Sequence, residues 1–162
     1  MKTLKNYAFI DGQNLYLGIQ ELGWKLDYKK FFIFLQEKYS VKKVYLFLGY
    51  LPRNEVIYNY LKLFGYSLVF KEILNHEGLI KGNVDAELVL QAAIEIHDYD
   101  KAIIITGDGD FACLIKYLNQ HQKLLSLLTP NLKHCSALLK KAAQEKLTCI
   151  GDLRHLLEYH KK

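Results

Sequence analysis

Proline is scarce, with two in 162 residues, and the chain holds only ten glycines, one methionine and three cysteines. With so few breakers and no Pro-, Gly- or Ser-rich linker, nothing marks a domain boundary, and one domain spanning residues 1–162 is expected. A domain of this size buries roughly 70% of the surface its unfolded chain exposes, enough for a complete core. Long apolar runs are missing too. Uncharged stretches such as 44–52 fall far short of the roughly 20 residues that cross a bilayer. The opening Met1-Lys2-Thr3-Leu4-Lys5 has no apolar signal segment, so a soluble, cytoplasmic protein with no membrane contact is expected. Cys113, Cys135 and Cys149 are odd in number and fit neither a zinc pair nor a disulfide framework. They read as small buried hydrophobes in a reducing compartment.

What the chain has in abundance is aromatic side chains and lysine. Twelve Tyr and eight Phe exclude a disordered polypeptide. A formal net charge of +5 suits a polyanionic partner.

Short, predominantly apolar runs at 7–10, 43–48, 67–70, 102–106 and 124–128 read as strands buried on both faces, as in a parallel sheet covered by helices. Between them, 15–22, 28–39, 55–64, 86–96, 111–118 and 136–145 carry apolar residues at spacings of three and four, the mark of amphipathic helices. This alternation predicts an α/β three-layer sandwich. A short strand at 148–151 and a closing helix over 152–160 are also expected. Residues 74–83, with Gly78 and Gly82, are the least regular interior stretch and read as a loop beside a site.

Ligands of open α/β sheets lie beyond the carboxyl ends of the strands, so acids placed there matter most. Asp11 follows the first strand, with Asn14 three residues on. Asp108 and Asp110 follow the 102–106 strand within Thr106-Gly107-Asp108-Gly109-Asp110-Phe111, and Asp85 opens the helix before that strand. If the strands ending at Asp11 and Thr106 are neighbours, their ends lie about 4.8 Å apart and the carboxylates can converge. Several acids in one cleft repel one another, and a hard divalent cation, Mg²⁺ or Mn²⁺, resolves that repulsion. Such an ion supports attack of water on a phosphodiester without a Ser, Cys or His nucleophile. Taken singly, each of Asp11, Asp108 and Asp110 reads as an ordinary helix N-cap and not as a ligand. Capping does not account for acids at two strand ends or for the pair flanking Gly109.

Three blocks, Phe9-Ile10-Asp11-Gly12-Gln13-Asn14, Lys81-Gly82-Asn83-Val84-Asp85 and Thr106-Gly107-Asp108-Gly109-Asp110-Phe111, resemble in order and spacing the signatures of the NYN domain family, the LabA-like branch of the PIN-like nucleases. The resemblance runs from the first strand to about Leu147. It implies a PIN-like fold with a central parallel sheet in the order 3-2-1-4-5, and a metal-dependent endoribonuclease site. Carried over by motif, Asp11, Asp85, Asp108 and Asp110 would hold the metal and Asn14 would orient the site. Lys81 would stand near the scissile phosphate, and the Thr106 hydroxyl would support the Asp108 turn. Gly109 stands where family members commonly have Ser, and Gln91 where they often have a further acid.

An RNA backbone needs cations around the acids. Arg53, in the segment after the second strand, belongs on the same edge, and Lys71 and Lys133 are further candidates by chain position. Tyr16, Tyr50 and Tyr58 are possible platforms for single-stranded bases. His134 and Cys135 could border the site or simply start a helix. Two other readings stay open: a catalytically silent RNA-binding or regulatory module, and a phosphatase with Asp11 as nucleophile. The latter lacks a second Asp two residues after Asp11. The aromatic helix 28–39 suits either a homodimer face or an internal core.

Overall fold

The structure is a computed structural model that describes residues 3–71, 74–76, 79–81 and 84–161. In chain order its elements begin β1 (Asn6–Asp11), α1 (Gly12–Glu21), α2 (Tyr28–Tyr39), β2 (Val41–Gly49), α3 (Glu55–Phe64) and β3 (Ser67–Lys71). There follow β4 (Leu74–His76), β5 (Leu79–Lys81), α4 (Asp85–Ile94), β6 (Ala102–Ile105) and α5 (Ala112–Gln120). The chain closes through β7 (Leu124–Thr129), α6 (Ala137–Ala143), β8 (Leu147–Cys149) and α7 (Arg154–Leu157).

Six strands form one parallel sheet in the order β3-β2-β1-β6-β7-β8. Numbered among themselves these strands run 3-2-1-4-5-6, the PIN-like order with one strand added. The extra strand is the expected short segment near 148. It pairs Leu127 with Leu147 and Thr129 with Cys149, using the hydrogen-bonding groups that β7 would otherwise present at an edge.

Strand alternation divides the core between two faces. Tyr7, Phe9, Tyr45, Phe47, Ile104 and Leu127 point to one side, where α4, α5 and α6 cover them. Ala8, Ile10, Leu46, Ile103, Ile105 and Leu128 point to the other, beneath α1, α2, α3 and α7. Every residue of β1 is buried, as a central strand between two helical layers requires. Truncating Phe9, which is wholly buried, would cost about 3–5 kcal/mol.

Four expectations change in detail. The closing helix is shorter, a 3-10 turn over Ile150–Leu153 leading into α7. Of the three free cysteines only Cys135 is buried. Cys113 is exposed, because Ala112, Leu114, Ile115 and Leu118 already supply the inward stripe of α5. The aromatic helix α2 is used internally: Phe31 and Leu35 are buried, and Tyr28, Phe32, Phe34 and Tyr39 pack partly buried on the same core. The expected loop at 74–83 lies partly outside the described residues, and its described parts, β4 and β5, pair antiparallel.

Candidate metal centre and cleft

β1 and β6 are parallel neighbours with Ile10 opposite Ile105, so the chain beyond each strand emerges at one place on the carboxyl edge. Asp11, the last residue of β1, is 5% exposed. Asp108 precedes a single 3-10 turn, Gly109–Phe111. Asp85 is the first residue of α4, where the helix dipole favours a carboxylate. One carboxylate oxygen from each of Asp11, Asp85 and Asp108 lies within 4.8 Å of the other two.

A short hydrogen-bond network sews these segments together. The Thr106 hydroxyl donates to Asp11 Oδ2 at 3.1 Å and accepts from the Asp108 backbone N–H at 3.1 Å. The Asn14 side-chain oxygen accepts from the Gly107 N–H at 2.7 Å, tying the first turn of α1 to the loop after β6. Asp11 Oδ1 caps α1 by accepting from the Asn14 N–H, and Asp108 Oδ1 accepts from the Asp110 N–H. Capping and clustering are therefore compatible: the oxygens that cap the turns belong to the carboxylates that converge. Asn14 and Thr106 stand where a positioning role requires.

Asp110 is exposed and outside the three-acid group. It sits two residues after Asp108, inside the 3-10 turn that Asp108 caps. Gly109 is enforced locally, since a Cβ there would lie 2.5 Å from Ser136 Oγ. Ser136 is itself held by its N–H to the Gly107 carbonyl at 3.1 Å.

The convergence has an electrostatic consequence. Asp11 is pushed up from 3.8 to about 6, chiefly by burial, with Asp85 and Asp108 adding like-charge repulsion, while the Asn14 and Thr106 hydrogen bonds pull the other way. A proton thus relieves part of the crowding near neutrality. A divalent cation would do the same and suits the donor set. Mg²⁺ takes oxygen ligands at about 2.0–2.1 Å, which places octahedral neighbours about 3 Å apart and opposite ligands about 4 Å apart. An all-carboxylate donor set favours such hard ions.

The acids stand in a cleft of about 370 Å³. One wall is the start and exposed side of α1, the other the segment after β7. His134 does border the cleft, and Thr129 and Asn131, which sequence reasoning did not single out, line it too. Their only sequence signal is their position after a parallel strand. The Thr129 hydroxyl is buried and has no hydrogen-bond partner among the described residues.

The expected substrate contacts scatter more widely. Arg53 is exposed on the carboxyl edge but does not line the cleft. Lys71 ion-pairs with Glu87, two residues from Asp85, at 3.6 Å. Lys133 is exposed beside His134. The side chain of Lys81 lies outside the described residues. Tyr58 is not a platform, because it is 5% exposed and its hydroxyl is engaged by the Leu51 N–H and the Gly49 carbonyl. Tyr16 and Tyr50 remain exposed, at 54% and 37%.

Comparison with known proteins agrees with this architecture. The chain is 23% identical over 161 residues to the low amplitude and bright protein LabA of Synechococcus elongatus, covering 93% of this chain and 86% of that one. A crystal structure of a protein of unknown function from Vibrio parahaemolyticus superposes with a TM-score of 0.79 at 23% identity, over 97% of this chain and 99% of the other. That likeness establishes the fold. Residues 6–150 match the NYN domain, and the chain belongs to this nuclease-like family.

Proposed function

We propose that this chain acts as one domain, residues 1–162, and is a metal-dependent endoribonuclease that hydrolyses RNA phosphodiester bonds. The observation that carries this reading is the meeting of three carboxylates from β1, α4 and the turn after β6 in one cleft of an NYN domain. Asp11, Asp85 and Asp108 would hold Mg²⁺ or Mn²⁺. Such an ion, when bound, lowers the pKa of water and neutralises charge developing on a phosphoryl group.

The chain's own residues supply the rest. Thr106 and Asn14 fix Asp11 and the Gly107–Asp108 turn, so the carboxylates are positioned before substrate arrives. Asp110 contributes through the backbone N–H that orients Asp108. Asp11, raised to about 6 in the metal-free chain chiefly by burial, would give up its proton when a divalent cation binds. Arg53 and Lys81 are proposed contacts to the RNA backbone, in keeping with the net charge of +5.

The test is cleavage of labelled single-stranded and hairpin RNA by wild type and Asp108→Asn, each with Mn²⁺, Mg²⁺ or EDTA. Metal-dependent cutting that disappears in the variant is the expected result. RNA bound but uncut under every metal would turn the assignment to a silent binding module.

A further inference from the structure

The acids occupy one end of the cleft, and nothing above uses the other. That end is framed by Leu17, Gly18 and Glu21 of α1 and by Pro130, Asn131 and His134 after β7. Its floor is apolar. Leu17 is 43% exposed beside Pro130. Because residue 18 is glycine, the proline ring packs directly on the helix: a Cβ on Gly18 would lie 2.6 Å from Pro130 Cβ. No side chain rises between the two elements.

The rim is polar. Asn131 is 8% exposed, and its Oδ1 accepts from the Lys133 N–H at 3.1 Å. This bond holds the amide fixed and directs its NH₂ group away from the turn, where it meets no partner among the described residues. Glu21 and His134 face each other at 3.5 Å, with more than half of each side chain exposed. A flat apolar floor with a fixed amide donor, a carboxylate acceptor and an imidazole at its edge matches a heteroaromatic ring that carries donors and acceptors on its periphery. The whole cleft, about 370 Å³, lies near the lower end of the roughly 300–1,000 Å³ range of small-ligand pockets. It accommodates one nucleotide rather than a duplex.

We propose that the end of the cleft between α1 and the β7 loop is a base-recognition pocket. It takes the nucleobase of the nucleotide whose phosphate lies at the acids, with Asn131 as the residue that discriminates between bases. This inference rests on the ribonuclease reading for its substrate class and adds a specificity that the acids cannot supply. A base can enter such a pocket only when unpaired, so the pocket selects single-stranded segments.

The test is binding of each of the four nucleoside 5′-monophosphates in Mg²⁺, followed by backbone amide chemical shifts. Saturable shifts at Leu17, Gly18 and Asn131 are expected, with affinities that differ among the bases by about 2–10-fold, the scale of one hydrogen bond. Asn131→Asp keeps the oxygen that accepts from Lys133 and removes the amide donors, so it should erase or reorder that ranking while shifts near Asp108 persist. Leu17→Ala, a change at a half-exposed site, should weaken all four nucleotides together. Shifts confined to the acids, equal affinities, or a ranking unchanged by Asn131→Asp would overturn the pocket. A base ranking without RNA cleavage would uphold the pocket and overturn the ribonuclease assignment. Cleavage without any base ranking would do the reverse.

Discussion

The two edges of the parallel sheet handle charge in opposite ways. At the amino edge, charged side chains are set against neutral hydrogen-bonding groups and rings. The Tyr45 hydroxyl donates to Glu95 at 2.6 Å, Lys43 lies 4.8 Å from the Tyr45 ring, and Lys123 Nζ donates to the Tyr99 carbonyl at 2.6 Å. At the carboxyl edge, three carboxylates of one sign converge. The same helix, α4, contributes to both: Asp85 at its start joins the cluster, and Glu95 just past its end joins the paired network. The difference teaches that the amino edge is built for stability, while the carboxyl edge gives some up for a site that a ligand completes.

The comparison is broken most severely by removing one acid. Asp11→Asn should lower cleavage by at least about 10²–10³-fold, the scale for losing a group that stabilises developing charge. At pH 4, where the folded chain holds a proton on Asp11, the variant's melting temperature should stay close to wild type, since Asn caps a helix as well as Asp does. A large loss of stability in thermal unfolding would reassign Asp11 to a purely structural role.

A pH series sharpens the contrast. Asp11 is raised from 3.8 to about 6 in the folded chain. Between these values the native state holds a proton that the unfolded state has released, so this group's contribution to stability falls as pH rises and levels off above the folded value. The fall is about 3 kcal/mol in the metal-free protein. Urea unfolding at pH 4 and pH 7 should therefore show Asp11→Asn gaining on wild type by that order. Saturating Mn²⁺ should recover much of the deficit in wild type alone. A difference independent of pH would mean that burial, with the neighbouring carboxylates, does not raise Asp11 as described.

Smaller effects test single groups. Thr129→Val keeps the shape and removes a buried hydroxyl with no partner among the described residues, so it should raise stability by about 1–3 kcal/mol in chemical denaturation. A loss instead would show that the hydroxyl has a ligand or ordered water to bind. At the other edge, Tyr45→Phe deletes the bond to Glu95 and should lower stability by about 0.5–1.5 kcal/mol while leaving cleavage unchanged. An activity loss there would couple the two edges.

Much of this contrast was legible in the linear chain. Short apolar runs alternating with helical periodicity read as strands of a covered parallel sheet, so the positions of β1, β6 and β7 and the acids after the first two followed from pattern, whereas the edge position of β3 did not. Asp85 was legible as the start of a helix. The different standing of Asp110 was not, because two Asp residues separated by one glycine look equivalent in the linear chain, and only the folded turn leaves the second exposed and outside the three-acid group. The burial of Tyr58 was hidden for a similar reason. Its ring packs on Phe70 of β3, at 4.8 Å between centroids, a contact made by strand pairing and not by local spacing.

By itself, then, the sequence determined the alternation of elements, the layer architecture and the acids that could meet, because periodicity and strand-end position are local properties of the chain. The tertiary structure alone decided which three carboxylates converge and how strongly burial pushes up Asp11. It also decided that the segment after β7 forms the second wall of the cleft. Those outcomes depend on which strands become neighbours and on how far each side chain is removed from water, quantities that exist only once segments distant in the chain have packed together.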